Sequence, residues 1–432
     1  MLKRMILTVF FGIAAASSCF PSDVKDENEM FSSPDVLTQP SNNAKPAEEK
    51  KSISFSGRIT SVTEDVGVST STMDGLYSYI VSNALIDVRM KNDIKAFADV
   101  ETSYFAQSRT TTYDVRELFF DFNLDRKVYF RTGKQVLQWG RCYLWNPTDL
   151  INIEKLPFIR KIGNREGAYG MKFHVPFGAK ENIYGFLDTG NASSSDALGG
   201  ALKYEFLTGR TEMAFSGWAK KGYNPMFGYD FSTRAGYVDI LGEFSISRGD
   251  NLKRIRVDQG ALDVYTNNYD WAPRTSINFS KGFRLGNFND RLTVSTEFFY
   301  NQLGYDEDLF KDQAVYQFGA PLLLPNGTAV NAGTKRDFLL GNNLYTPNYL
   351  SRYYGAVFTT ITRFLITDMS FNCNYIRNFN DGSGILSAGV TYANIYDFSA
   401  GLLLNSFLGP ENGEYTFLGI KYDAQLTFGI SF

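Results

Sequence analysis

Ile420-Lys421-Tyr422-Asp423-Ala424-Gln425-Leu426-Thr427-Phe428-Gly429-Ile430-Ser431-Phe432 alternates without a break. Ile420, Tyr422, Ala424, Leu426, Phe428, Ile430 and Phe432 fall on one side of an extended chain. Lys421, Asp423, Gln425, Thr427, Gly429 and Ser431 fall on the other. A tilted strand of about ten residues crosses the hydrocarbon layer of a membrane, with its apolar face to lipid and its polar face to a lumen. A soluble sandwich would also give one face in and one out. The length of the run fits instead a tilted strand crossing a membrane.

Working back from this strand, the same theme recurs from Ser52 onward. Further strands are expected to begin near Ser52, Tyr79, Asp93, Thr111, Lys127, Ala168, Asn182, Gly199, Arg210, Met226, Tyr237, Arg274, Asp290, Arg352, Thr367, Gly384 and Asp397. With the last strand they form an all-β, antiparallel, up-and-down transmembrane barrel of 18 strands, with 16 still open. The count has an internal check. If the first strand starts in the periplasm, every second connection must be short. Those connections fall near Lys91-Asn92, Leu124–Arg126, Gly178–Glu181, Thr208-Gly209, Ala235-Gly236, Gly286–Phe288, Leu365-Ile366 and Tyr396. The long ones, 62–76, 136–166, 248–272, 303–350 and 407–416, all fall at the other end. A barrel of this size encloses an aqueous channel that loops must narrow.

Composition agrees with a barrel and excludes other classes. The 432 residues include 26 Tyr, 37 Phe, 4 Trp and 38 Gly, with 44% hydrophobic residues overall. A mean hydropathy of −0.22 excludes a bundle of transmembrane helices. The net charge is −3, both signs are interspersed, and no basic block suggests nucleic-acid binding. One His and three Cys are too few for a multi-histidine metal site or a disulfide framework, and no cofactor is called for.

Residues 1–18 read as a signal peptide: Lys3 and Arg4, an apolar run too short to span a bilayer, then small residues. Cys19 after Ala16-Ser17-Ser18 resembles a degenerate lipobox, with Ala16 where a bacterial lipoprotein signal usually has Leu. Ordinary cleavage nearby is the alternative. Residues 19–51 hold Pro34, Pro40 and Pro46 and few large apolar side chains, as a disordered periplasmic tail would. Residues 52–432 are the barrel.

One stretch breaks the alternation. Arg131-Thr-Gly-Lys-Gln-Val-Leu-Gln-Trp-Gly-Arg-Cys-Tyr-Leu-Trp-Asn-Pro-Thr-Asp149 begins as a strand, and Trp139-Gly140 and Asn146-Pro147 then end it. Gly133-Lys134-Gln135, Trp139-Gly140, Asn146-Pro147 and Asp149, followed by Arg165-Glu166-Gly167, resemble a family of bacterial porin-like outer-membrane β-barrel proteins. The resemblance is specific over about 40 residues; it implies a barrel in the outer membrane and names no substrate. The closing Phe432 likewise resembles the signal by which the barrel-assembly machinery recognises such proteins.

Lipid-facing charges cost roughly 2–4 kcal/mol at mid-membrane, so charges inside the spans are expected to face the lumen. Asp87, Arg89, Asp99, Glu101, Glu117, Asp121 and Arg131 then form an acid–base network on one wall, while Arg116 falls on the opposite face with Leu118, Phe120 and Phe122. Structural pairing alone explains such a network as well as solute selection does. Arg141, Arg160, Lys161 and Arg165 make the loop 136–166 basic, and Trp139 and Trp145 suit either a packed loop foot or an aromatic belt. The loop 303–350 carries Asp306, Glu307, Asp308 and the apolar run 321–325, and folds either inward or as a surface cap. His174 points inward without the nucleophile context a hydrolase needs. The expected function is passive or weakly selective diffusion of small hydrophilic solutes through a porin in contact with outer-membrane lipid, possible as a homo-oligomer. The rival is a loop-plugged structural or adhesion barrel.

Overall fold

A computed structural model of the chain describes residues 52–68, 75–137, 139–151, 167–190, 192, 194, 197–323, 328–393 and 397–432. The expected signal peptide, tail and Cys19, and the loop residues Arg160, Lys161, Arg165, Glu166 and Tyr396, lie outside the described residues.

Alternation becomes a closed ring. Its first eleven strands are β1 (Ser52–Val68), β2 (Gly75–Arg89), β3 (Lys95–Phe105), β4 (Thr110–Leu124), β5 (Val128–Gln135), β6 (Ala168–Phe177), β7 (Glu181–Asp188), β8 (Gly199–Thr208), β9 (Thr211–Lys220), β10 (Met226–Ala235) and β11 (Val238–Ser247). The chain then leaves the ring as the hairpin β12 (Arg254–Asp258) and β13 (Ala261–Tyr265), and rejoins it with β14 (Arg274–Leu285) and β15 (Phe288–Asn301). A second excursion forms β16 (Tyr316–Leu323), β17 (Ala329–Gly333) and the helix α1 (Lys335–Gly341). The ring finishes with β18 (Tyr353–Thr362), β19 (Met369–Asn378), β20 (Gly384–Ala393), β21 (Phe398–Leu408) and β22 (Ile420–Ser431). Every ring strand pairs antiparallel with its neighbours, and β22 pairs with β1, so 18 strands close with no free edge. Phe432 seals the seam: its backbone exchanges hydrogen bonds with Gly57 at 2.8 and 2.9 Å.

The expected strand starts agree with these to within about two residues, save β2, which starts at Gly75 rather than Tyr79. The expected long loop 62–76 is therefore mostly strand. The two-residue pleat sorts the side chains. Leu118, Phe120, Leu402, Leu404, Leu426 and Phe428 are exposed on the outer surface, while Asp121, Arg131, Asp423 and Gln425 are buried inside. Tight turns at the short end use left-handed residues, among them Asn92, Asp93, Asp125, Arg126, Gly209 and Gly236.

One charge is not where alternation puts it. Asp99 pairs with Glu117, but the next residue, Val100, pairs with Val115, so Arg116 is an extra residue in the ladder. This bulge resets the pleat. Arg116 consequently turns inward and meets Glu101 at 3.5 Å instead of joining the lipid-facing row.

The two excursions build a cap at the long-loop end. The strands β12, β13, β16 and β17 make a second sheet, in which β13 and β16 run parallel. Beneath it Ile255, Leu262, Leu309, Phe310, Phe318, Leu322, Phe338, Leu339, Leu350 and Phe417 form a core of their own. Of the two expected placements of the loop 303–350, inward or as a surface cap, its described residues form a cap with regular structure and a hydrophobic core. Its apolar run supplies Leu322 to that core.

Candidate functional site: a strap clasped across the barrel

The site begins at the end of β5. Gly133 has φ +129°, and a Cβ there would lie 2.1 Å from the Leu118 carbonyl oxygen, so only glycine lets β5 pass β4 so closely. Gln135 is fully buried, and its amide donates to the carbonyls of Arg131 and Gly170 at 3.4 Å. The Val136 N–H then donates to Glu117 at 2.8 Å, and the chain turns inward.

Residues 136–151 travel out across the lumen and back. Near both ends, Leu137, Trp139, Leu150 and Ile151 pack with Phe186, Ala201, Trp218 and Met226 of the β7–β10 wall. At the far point, Leu144 and Trp145 pack with Phe299, Tyr354, Ala356, Phe358, Ile376 and Phe407 on the other side. Trp145 stacks on Phe299 with centroids 5.6 Å apart, and its Nε1 donates to the Asn348 carbonyl at 2.7 Å. Tyr143 meets Phe358 edge-on at 4.7 Å.

Two buried carboxylates hold the strap by its backbone. Glu243 of β11 accepts from the N–H groups of Arg141 (2.5 Å), Cys142 (2.6 Å) and Thr148 (3.0 Å). It also accepts from the Thr148 hydroxyl (2.7 Å) and the Asn146 amide (3.0 Å). Glu297 of β15 accepts from the N–H groups of Tyr143 (2.8 Å), Leu144 (3.1 Å) and Trp145 (2.6 Å), and from Ser276 and Asn278 at 3.2 Å. Converging donors let a carboxylate stay buried without a cation. Counting β6 to β11, then β14 and β15, Glu297 stands eight strands around the ring from β5. Nine would be the opposite wall. Gly140 makes the approach possible: a Cβ on it would lie 2.7 and 2.8 Å from the two Glu243 oxygens.

Side chains complete the clasp. Arg141 pairs with Glu205 at 2.8 Å, with Glu212 at 2.9 Å and with Asp230. Burial alone would lower the Arg141 pKa, but Glu212 and Asp230 beside it raise it above its ordinary value. Lys203 bridges Asp230 (2.9 Å) and the Trp139 carbonyl (2.6 Å). Cys142 lies under the clasp, where burial and then the charges of Glu243 and Glu297 push its thiol far up. Cys142 and Cys373 are both free thiols.

Sequence comparison finds no matching family and no matching curated protein. Solved structures do match. OccAB1 of Acinetobacter baumannii superposes with TM-score 0.53 at 10% identity, covering 89% of this chain and 97% of that one. OccK8 (OprE) and OccK9 (OpdG) of Pseudomonas aeruginosa each give TM-score 0.51 at 9% and 8% identity, covering 89% of this chain and 98% of theirs. The chain has the fold of an outer-membrane porin. At such identities the likeness is one of fold.

Within this porin fold the sequence-predicted charges separate into groups. Arg131 and Asp121 form a two-pronged pair at 2.8 and 3.1 Å, with the guanidinium 3.9 Å above the Phe119 ring. Asp87 meets Arg89 and Lys95, each at 3.3 Å. Asp99 and Glu101 share the Asn83 amide at 3.3 and 3.4 Å. Glu117 stands apart from these, at the root of the strap. Arg141 is no free basic lure at the mouth, because three carboxylates neutralise it. Trp139 and Trp145 are both buried in the strap, which excludes the aromatic-belt placement. His174 stacks on Tyr184 at 4.5 Å and bonds Asn182 at 2.9 Å.

Sequence reasoning missed Glu243, Glu297, Glu205, Glu212, Asp230 and Lys203. A signal was present for the first two. Each is an acid within a membrane strand and followed by Phe, Leu241-Gly242-Glu243-Phe244 and Thr296-Glu297-Phe298-Phe299. Such an acid must face the lumen and find donors there.

Proposed function

We propose that the protein is an outer-membrane channel through which small hydrophilic solutes diffuse passively, and that the strap is its constriction. The observation that carries this is the segment 136–151, held across an 18-strand ring by Glu243 and Glu297. The solved barrels of the same fold are porins, which supports the channel. Solutes would pass beside the strap, and its paired charges would leave ion preference weak. The short-turn end, with both ends of the barrel chain, would face the periplasm. Phe432, paired into the seam, would serve recognition by the assembly machinery.

Planar-bilayer recording tests the proposal. Purified protein is expected to give discrete conductance steps, and Glu243→Ala with Glu297→Ala is expected to enlarge them by freeing the strap. Steps of unchanged size in the double variant would sink the constriction. One observation favours a second reading, a plugged structural barrel: the cap has its own core directly beside the strap. Absence of steps in the wild type would decide for it.

A further inference from the structure

The inner wall is divided. Register places Ser370, Asn372, Asn374, Ile376 and Asn378 of β19 inward, beside the inward rows of β18, β20 and β21. Among the described residues of these four strands, every inward position is uncharged. The far end of this wall packs against the strap through Tyr354, Ile376 and Phe407. Below that cluster, toward the short turns, the row becomes polar and half-buried: Thr360, Asn372, Asn374, Ser387 and Thr391. Asn374 stands opposite Ser387, and Ser370 opposite Thr391. Thr360 donates to Asn372 at 2.9 Å, whereas no protein partner accepts from or donates to the side chains of Asn374, Ser387 or Thr391 among the described residues.

The wall of β2–β5, reached from the strip across β22 and β1, differs. Its charges are matched within the protein, Arg131 by Asp121, Lys95 and Arg89 by Asp87, and Arg116 by Glu101. Paired charges present little field to a passing solute, and displacing either partner leaves a charge uncompensated. A solute clearing the strap therefore meets a strip of amides and hydroxyls whose hydrogen-bonding capacity is unspent. At the β21 edge Arg58 of β1 donates to the Ser399 hydroxyl at 3.0 Å, but along β18–β20 a charged solute finds no counter-charge on the strip itself. A neutral molecule bearing several hydroxyl groups gains donors and acceptors at each step.

We infer that the strip on β18–β21 is a binding track for neutral polyhydroxylated solutes, the class of sugars and sugar alcohols. The inference rests on the channel reading above and names its solute class. The test uses the full chain in proteoliposomes and planar bilayers. Glucose is expected to enter faster than potassium gluconate, which has a similar size and hydroxyl count but a negative charge. Glucose at high concentration is also expected to interrupt the potassium chloride current. Asn374→Leu with Thr391→Val is expected to weaken that interruption by about threefold for each hydrogen bond lost, the weight of a neutral hydrogen bond, while chloride-salt conductance stays unchanged. Asn374→Gln with Thr391→Ser, which keeps the groups, is expected to retain it and controls for folding. Gluconate entry equal to or faster than glucose entry, or undiminished interruption in the Leu/Val variant, would overturn the track while leaving the channel standing. No conductance steps at all would overturn both.

Discussion

Gly140 shows how little room the clasp leaves. It lies where a strand-breaking glycine would be expected merely to turn the chain, yet its missing side chain is what lets Glu243 reach the backbone N–H groups of Arg141, Cys142 and Thr148 at once. Gly140→Val is expected to push the carboxylate off those donors. Hydrogen bonds to charged groups are worth about 1.5–3 kcal/mol each, so the strap would detach while the ring stayed closed. Cys142 reports the result, because its thiol is buried beneath the clasp. In a Cys19→Ser, Cys373→Ser background, maleimide labelling is expected to be slow, and Gly140→Val to speed it strongly. Equal labelling rates would show that the clasp does not depend on this glycine.

Among elements, the strap and the loop 409–419 share a hydrophobic cluster and are also linked by hydrogen bonds through Asn348. Asn348 accepts from Trp145 through its carbonyl, and its own N–H donates to Glu414 at 2.9 Å. Glu414 also accepts from Tyr354 and Asn378 at 2.7 Å. Burial pushes its carboxyl up to about 8, with Asp381 adding to the rise and these donors opposing it. Since the folded value lies above the ordinary 4.5, the folded protein holds this proton more tightly than the unfolded chain. The associated stability is full below pH 4.5 and is lost as pH rises through 8. Thermal unfolding between pH 5 and 9 is expected to show a fall in wild type that Glu414→Gln flattens. Parallel profiles would remove Glu414 from the linkage. The elements themselves were largely legible in the sequence, because a period of two and tight turns are local signals. The bulge at Arg116 was not, since alternation carries no mark of an extra residue. Nor was the cap, whose parallel pairing of β13 with β16 joins segments far apart in the chain. The strap's position was half legible: Trp139-Gly140 and Asn146-Pro147 announced a non-strand segment, but its partners on β11 and β15 lie about a hundred residues or more away.

For the whole molecule, closure is the governing fact, and it makes the wall a thin hoop. A hoop of many strands resists stretching along its hydrogen bonds but flattens easily, because each strand-to-strand joint bends a little. The strap acts as a spoke. It fixes the distance between the β5–β6 wall and the β15–β18 wall, so one diameter of the hoop cannot shorten or lengthen freely. Spin labels on outward positions Leu118 and Val357 measure that diameter. A narrow distance distribution is expected in wild type, and a broad one after Glu243→Ala with Glu297→Ala. The segment that narrows the lumen would then also keep it round, and any change that opens the passage would soften its outline.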